Sequence, residues 1–194
     1  MARPVEFVYE DVLTHAMEQF WREGFEASSV QKLLDVTGIN RGTLYNSFGD
    51  KDTFFKSCLE HYNKLVASDL AASLDNEALS AWDAVEKYFD ITVLSATKKR
   101  RDMGCLLVNS FCESINYDKD IQKLVKGYYG NIRKSVLKRV KEAEKAGELS
   151  KAVNAELATD VLINTLSGLR VHSREGKSVK QLGEIVGFAI KSLR

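Results

Sequence analysis

Residues 28–51 read SSVQKLLDVTGINRGTLYNSFGDK, and their alternation of apolar residues, small polar caps and glycine sets out two short helices and the start of a third. Ser28 or Ser29 can cap a helix that carries Val30, Leu33 and Leu34, because a serine oxygen accepts from a first-turn N–H that has no partner within the helix. Thr37-Gly38-Ile39-Asn40 then makes a tight turn, in which Gly38 can take the left-handed conformation that stops a helix and Asn40 can cap the next. That next helix, about Arg41 to Phe48, buries Leu44 and Phe48 one turn apart. Asp50 caps a fourth and longer helix bearing Phe54, Phe55, Cys58, Leu59, Tyr62 and Leu65. Upstream, Leu13, Ala16, Met17 and Phe20 recur at i, i+3, i+4 and i+7, which predicts a first helix over about Tyr9 to Arg22, ended by Gly24.

Two short helices joined by a glycine-containing turn and braced by a third are the architecture of a helix-turn-helix reader of DNA. With Leu44 and Phe48 turned to the core, Arg41, Gly42, Thr43, Tyr45, Asn46 and Ser47 are left for contact. Gly42 lets backbone approach a phosphate closely, and Thr43 offers a methyl and a hydroxyl to a base edge or phosphate. The first 55 residues hold five Lys and Arg against nine Asp and Glu, a net charge of −4, whereas DNA-binding domains are usually basic. Five of the acids, Glu6, Glu10, Asp11, Glu18 and Glu23, fall on or beside the first helix, which is expected to face away from the groove. The alternative is an acidic helical adaptor with no nucleic-acid partner.

The run from Gly24 to Leu34, followed by Thr37-Gly38-Ile39-Asn40-Arg41-Gly42-Thr43-Leu44-Tyr45-Asn46-Ser47-Phe48-Gly49-Asp50-Lys51-Asp52, resembles the signature of the tetracycline-repressor (TetR) family of bacterial transcriptional regulators. The core G-T-L-Y-x-x-F-x-x-K carries most of the likeness, while Thr37 stands where Ala is common and Asn46-Ser47 replaces the usual aromatic-His pair. The resemblance implies a homodimeric repressor of double-stranded, palindromic operator DNA, released by a small-molecule effector or by cysteine modification. Ser29, Asn40, Arg41, Gly42, Thr43, Tyr45, Asn46, Ser47 and Lys51 then form the DNA-binding set, with Lys51 on a phosphate. A reader over 1–50 and a helical effector-binding and dimerisation domain over 51–194 are expected, with the boundary inside the fourth helix.

One proline and 12 glycines in 194 residues leave few interruptions, and the apolar spacing downstream is also helical, so the fold class is all-α. Helices are predicted over about Ala81 to Thr97, Gly104 to Ile115, Asp118 to Ala146, Ala155 to His172 and Ser178 to Leu193. In the last two, Leu157, Val161, Leu162, Leu166 and Leu169 make one stripe and Leu182, Ile185, Val186, Ala189, Ile190 and Leu193 another. Gly183 and Gly187 would admit a neighbouring helix. The family's dimer lies on such a pair, which makes Leu162, Leu166, Leu169, Leu182, Ile185, Val186, Ala189 and Ile190 the candidate interface; the same stripes can equally be core within one chain.

Several aromatic residues sit on the middle helices. Phe89, Phe111 and Tyr128, with Cys105, make the candidate effector or redox-sensing set. The basic run Lys98-Lys99-Arg100-Arg101 reads as a solvated loop between helices. If a helix begins near Gly104, Cys105 lies in its first turn beside four cations, and both features favour a reactive thiolate. Cys58 and Cys112 are expected to be buried and inert.

Composition narrows the remaining classes. Three cysteines without C-x-x-C spacing support neither a disulfide framework nor a zinc site. His15, His61 and His172 fall on different helices and complete no H-E-x-x-H, and neither G-x-S-x-G nor a phosphate-cradling glycine loop is present. No enzyme, cofactor or metal is expected. The short apolar runs encode no membrane span and the N-terminus has no signal-peptide core, so a cytoplasmic location is expected.

Overall fold

The computed structural model describes residues 8–194, so Arg3 and Glu6 of the charge balance lie outside the described residues. Among those residues the architecture is all helical: α1 Tyr9–Glu23, α2 Val30–Thr37, α3 Arg41–Phe48, α4 Lys51–Ala71, α5 Ala81–Phe89, α6 Lys98–Met103, α7 Leu106–Glu113, α8 Lys119–Lys145, α9 Ala155–Arg174 and α10 Val179–Leu193. A π-helical segment, Asp90–Leu94, continues α5, and a 3-10 turn, Ser114–Asn116, follows α7.

The caps are the ones the sequence offers. Ser29 accepts from the Lys32 N–H at 3.2 Å, Asn40 from the Thr43 N–H at 2.8 Å, and Asp50 from the Thr53 N–H at 2.8 Å. Gly38 ends α2 in the left-handed conformation (φ 69°), which turns the chain sharply into α3. Leu33, Leu44, Phe48 and Phe54 join Met17 and Phe20 of α1 in the buried core, with Phe54 edge-on to Phe20 at 6.3 Å. Phe48 stacks between Phe54 (4.3 Å) and Tyr9 (5.0 Å).

Helix α4 leaves this cluster and enters the larger body, where it packs on α8; α8 also packs on α5 and α9, and α10 lies on α9. One continuous core runs through both parts.

Three expectations need correction. The run Lys98-Lys99-Arg100-Arg101 is helix α6, not a loop. Thr97 caps it by accepting from the Arg100 N–H, Lys98 meets Asp102 one turn along the same helix at 2.5 Å, and two cations meet acids from elsewhere, Lys99 with Glu18 at 2.5 Å and Arg100 with Asp69 at 2.7 Å. The helix expected from Gly104 begins at Leu106, with Cys105 as its N-cap, because Gly104 carries positive φ and breaks the chain between α6 and α7. Third, the candidate interface on α9 and α10 points inward: Leu162, Leu166, Leu169, Leu182, Val186, Ala189 and Ile190 are all buried within one chain, Ile185 alone of that set is exposed, and Leu157 of the α9 stripe lies outside.

Candidate nucleic-acid interface

Helix α3 shows solvent a face made of Arg41, Gly42, Tyr45, Asn46 and Ser47, with Thr43 half-buried at its edge. Its opposite side is closed by Leu44 and Phe48. Tyr45 is 46% exposed, large for an aromatic ring inside a folded unit, and it sits one helical turn from Arg41. The structure therefore brings Arg41, Gly42, Thr43, Tyr45, Asn46 and Ser47 together on one polar surface. Asn40 immediately precedes it and Ser29 heads α2, their side-chain oxygens engaged in capping α3 and α2.

Lys51 begins α4, beside the turn that leads out of α1. Its Nζ lies over the Phe25 ring, 4.3 Å from the centroid, at the first turn of α4. Such a contact holds the long side chain beside the turn between α1 and α2 while its ammonium remains partly open to solvent.

The acidity of this unit is drawn away from α3. Glu10 reaches toward Lys64 at 4.0 Å, Glu18 pairs with Lys99 of α6, and Glu23 pairs with Lys32 at 2.6 Å. Asp50 caps α4, and the Thr53 backbone N–H holds its carboxyl below the usual carboxylate range. Three acids of α1 thus meet lysines of α4, α6 and α2 rather than the face of α3.

Behind the reader, α7 touches it at two points. Asn109 donates from Nδ2 to the Trp21 carbonyl at 3.2 Å and to the Met103 carbonyl at 3.0 Å. Glu113 Oε2 accepts from the Phe25 N–H at 2.8 Å and from the Glu26 N–H at 3.4 Å, and Tyr117 donates its hydroxyl to the same oxygen at 3.4 Å. A cleft of about 370 Å³ opens beside this contact, with Trp21, Cys112 and Glu113 on its walls. Glu113 is not marked out by the sequence. An acid near the end of an apolar helix gave no local signal, since its partner is a turn 88 residues away.

The expected effector set of Phe89, Cys105, Phe111 and Tyr128 is not gathered in one cavity. A closed cavity lies between α4, α5, α7, α8 and α9, and its walls include Tyr88 and Tyr129, the sequence neighbours of the expected Phe89 and Tyr128. Phe89 is buried in the core and Tyr128 is half-buried outside the cavity. Phe111 meets Tyr129 edge-on at 5.1 Å. Cys105 does line the cavity, but it is only 5% exposed, with the Tyr62 hydroxyl directed at its Sγ at 3.5 Å. The accessibility expected for Cys105 is not met, because α4 covers it. Cys58 is buried as expected, and burial pushes its thiol pKa up. Cys112, expected to be buried, is the exposed thiol.

A polar recognition helix set by a tight turn on a buried three-helix platform, and joined through one long helix to a larger helical body, defines the class of helix-turn-helix regulators. Residues 12–58 match the family described as bacterial regulatory proteins, tetR family, and residues 81–185 match the tetracyclin repressor-like C-terminal domain; the second match alone spans more than half of the chain. The chain belongs to the tetR family of bacterial regulatory proteins.

Among relatives, the HTH-type transcriptional repressor ComR of Escherichia coli (strain K12) is 27% identical over 190 residues, which cover 97% of this chain and 90% of that protein. The HTH-type transcriptional repressor BdcR of the same organism is 27% identical over 199 residues, covering 98% and 93%. Among solved structures, a cysteine mutant of the TetR family transcriptional regulator CifR, complexed with 26bp double-strand operator DNA, has a TM-score of 0.85 at 24% identity and covers all of both chains. At that identity the likeness speaks for the fold alone.

Proposed function

We propose that this protein is a homodimeric transcriptional repressor that reads a palindromic operator with α3 and leaves it when a small molecule binds the larger helical body. The observation that carries this reading is the face of Arg41, Gly42, Tyr45, Asn46 and Ser47. It is polar, exposed and backed by Leu44 and Phe48, so the side chains that meet DNA are held by a buried platform. Repressors named among the relatives and a structural neighbour bound to operator DNA support it.

The dimer face follows from what α9 and α10 leave uncovered. At 100° per residue, Leu157, Val161, Gly168 and Val171 share one side of α9, opposite the buried Leu162, Leu166 and Leu169. On α10, Ile185 is 39% and Phe188 77% exposed, one turn apart and turned away from the buried stripe. Two copies that pair these faces would build a four-helix contact related by a two-fold axis, which spaces two identical α3 helices for one face of the duplex. Phe188 was missed because the sequence shows two overlapping apolar stripes on α10, and the more regular one is the core.

The test is retardation of DNA carrying the gene's own upstream region. Competition by the same DNA and not by random DNA is expected. Tyr45→Ala and Arg41→Ala should weaken that complex with unchanged helix content, and Phe188→Glu should give a monomer in sedimentation. Equal competition by random DNA, or full binding by Tyr45→Ala and Arg41→Ala alike, would overturn the reading.

A further inference from the structure

Charge is unevenly spread along the chain. Against the acidic first 55 residues, residues 56–194 hold 23 Lys and Arg and 18 Asp and Glu, and α8 alone holds nine against three, more than the whole surplus of that part. The three acids of α8 are already engaged: Glu142 accepts from Arg139 at 2.9 Å, Glu144 accepts from the Ala155 N–H at 3.0 Å, and Asp120 stands 3.9 Å from Lys56. Lys138 and Lys141 meet Glu77 at 3.7 Å and Glu156 at 3.6 Å. Lys119, Lys123, Lys126, Lys134 and Lys145 are exposed, and no carboxylate among the described residues lies within 4.0 Å of any of them.

At 100° per residue those five lysines share one arc of about 100°, opposite the buried Ile121, Val125, Ile132 and Val136, and they extend over about 39 Å. Gly127 and Gly130 lie in the same arc, in the gap between Lys126 and Lys134. A glycine inside a helix weakens it, and packing requires neither of these, because a Cβ at either position would meet nothing within 4 Å. The middle of the arc is thus bare backbone, open to close approach from outside, with lysines on both sides. Its direction is fixed at two points: Lys56, early in α4, holds the α8 N-cap Asp118 at 2.8 Å, and Arg139 donates from Nε to the Leu74 carbonyl, beyond the end of α4, at 2.6 Å. Helix α8 therefore runs parallel to α4, from the base of the reader toward the far end of the body.

We propose that this face of α8 is a second nucleic-acid surface, which holds duplex DNA by its phosphates without reading sequence. A straight stripe of about 39 Å covers slightly more than one duplex turn of roughly 34 Å, and unpaired lysines along a rod complement a polyanion whose charges are also regularly spaced. The reader is acidic and neutralises few phosphates, so the sequence-independent share of affinity falls to α8. Because the stripe leads away from the reader, a duplex on α3 and a duplex along α8 are different segments, and the protein would hold the two together. That consequence rests on the regulator reading above; the binding of a duplex to α8 does not. An anionic membrane fits less well, since no large apolar side chain of α8 is exposed and lasting attachment to lipid takes apolar burial beside the cations.

The experiment measures fluorescence anisotropy of a labelled random duplex of about 30 bp with the full chain, over roughly 50–200 mM KCl. Lys119→Gln, Lys123→Gln, Lys126→Gln, Lys134→Gln and Lys145→Gln are made together; glutamine is a good helix former, so helix content should match the wild type. This variant should flatten the dependence of log K on log salt by about 4, at about 0.9 for each phosphate contact, and bind about tenfold or more weakly at the lowest salt. Arginine at the same five positions should restore both. Tyr45→Ala, on α3, should keep the wild-type slope on random duplex. A fivefold glutamine variant with the slope and affinity of the wild type, or a wild type without salt-dependent binding of random duplex, overturns the proposal. Sedimentation of the wild type with phosphatidylserine vesicles, abolished by the same five substitutions while binding of random duplex is unchanged, overturns it in favour of a membrane. Retardation of upstream DNA is read separately, so its failure beside an intact random-duplex slope removes the regulator reading alone.

Discussion

Glu113 and Gly24 should be energetically coupled although they lie on different parts of the chain. Gly24 ends α1 at φ 87°, ψ 172°, a region that only glycine adopts readily. A Cβ added there would stand 1.8 Å from Glu113 Oε1. Gly24→Ala therefore carries two costs: backbone strain of about 1–3 kcal/mol, and expulsion of the Glu113 carboxylate from the Phe25 N–H. That hydrogen bond, at 2.8 Å to a charged acceptor beside the buried Phe25 ring, is worth about 1.5–3 kcal/mol, while the 3.4 Å contacts to Glu26 and Tyr117 add little. Glu113→Ala removes the second cost in advance. In that background Gly24→Ala should retain only the strain, so the two substitutions together cost less than their sum by about 1.5–3 kcal/mol. Urea unfolding of the four proteins in the cycle measures this directly, provided the m-values agree. Additive costs would show that Glu113 does not grip the turn and that α7 is not fastened to the reader there.

Phe48→Ala removes a buried ring that stacks on Phe54 and Tyr9, and should cost about 3–5 kcal/mol in unfolding while Tyr45→Ala costs little; equal melting temperatures for the two would contradict the burial pattern of α3. Brief N-ethylmaleimide treatment of the folded protein should label Cys112 alone, and Cys58 and Cys105 only after unfolding, as read by peptide mass spectrometry; prompt labelling of Cys105 would show that α4 opens. Asp50 has its carboxyl pKa lowered by the Thr53 N–H, so the stabilisation it gives is present above the unfolded carboxylate pKa near ~4 and lost as the pH falls through the lower folded value. Asp50→Asn can keep the cap without titrating, and its stability should decline less between pH 6 and 3 than that of the wild type; parallel declines would remove Asp50 from the acid response.

The reader was legible because its determinants are local. Ser29, Asn40 and Asp50 each cap a helix whose first turn follows at once, Gly38 stops α2 by its own backbone, and Leu44 and Phe48 leave only one side of an eight-residue helix free. Elsewhere the deciding partners are distant. The basic run is packed down by Glu18 and Asp69, which arrive from α1 and α4 to meet Lys99 and Arg100, and the six residues themselves carry no record of those partners. The cavity wall is Tyr88 and Tyr129 rather than Phe89 and Tyr128 because adjacent positions on a helix point about 100° apart, and only the packing of α5 and α8 settles which one looks inward.

Helix α7 brings these non-local contacts into one mechanical line. Its N-cap, Cys105, sits on the cavity beside Tyr62 and Arg170; Asn109, one turn on, holds the carbonyl of Trp21 in α1; and Glu113, at its end, holds the Phe25 N–H where α1 turns toward α2. Eight residues at 1.5 Å each span about 12 Å, so a short rigid rod connects the cavity to the base of the reader without an intervening loop. A small displacement at Cys105 therefore reaches the turn before α2 as translation or tilt of one element, with α4 as a second and parallel connection. Loss of the Glu113 contact should leave operator affinity in place while weakening the effect of the larger body on it, because α3 keeps its own caps and platform.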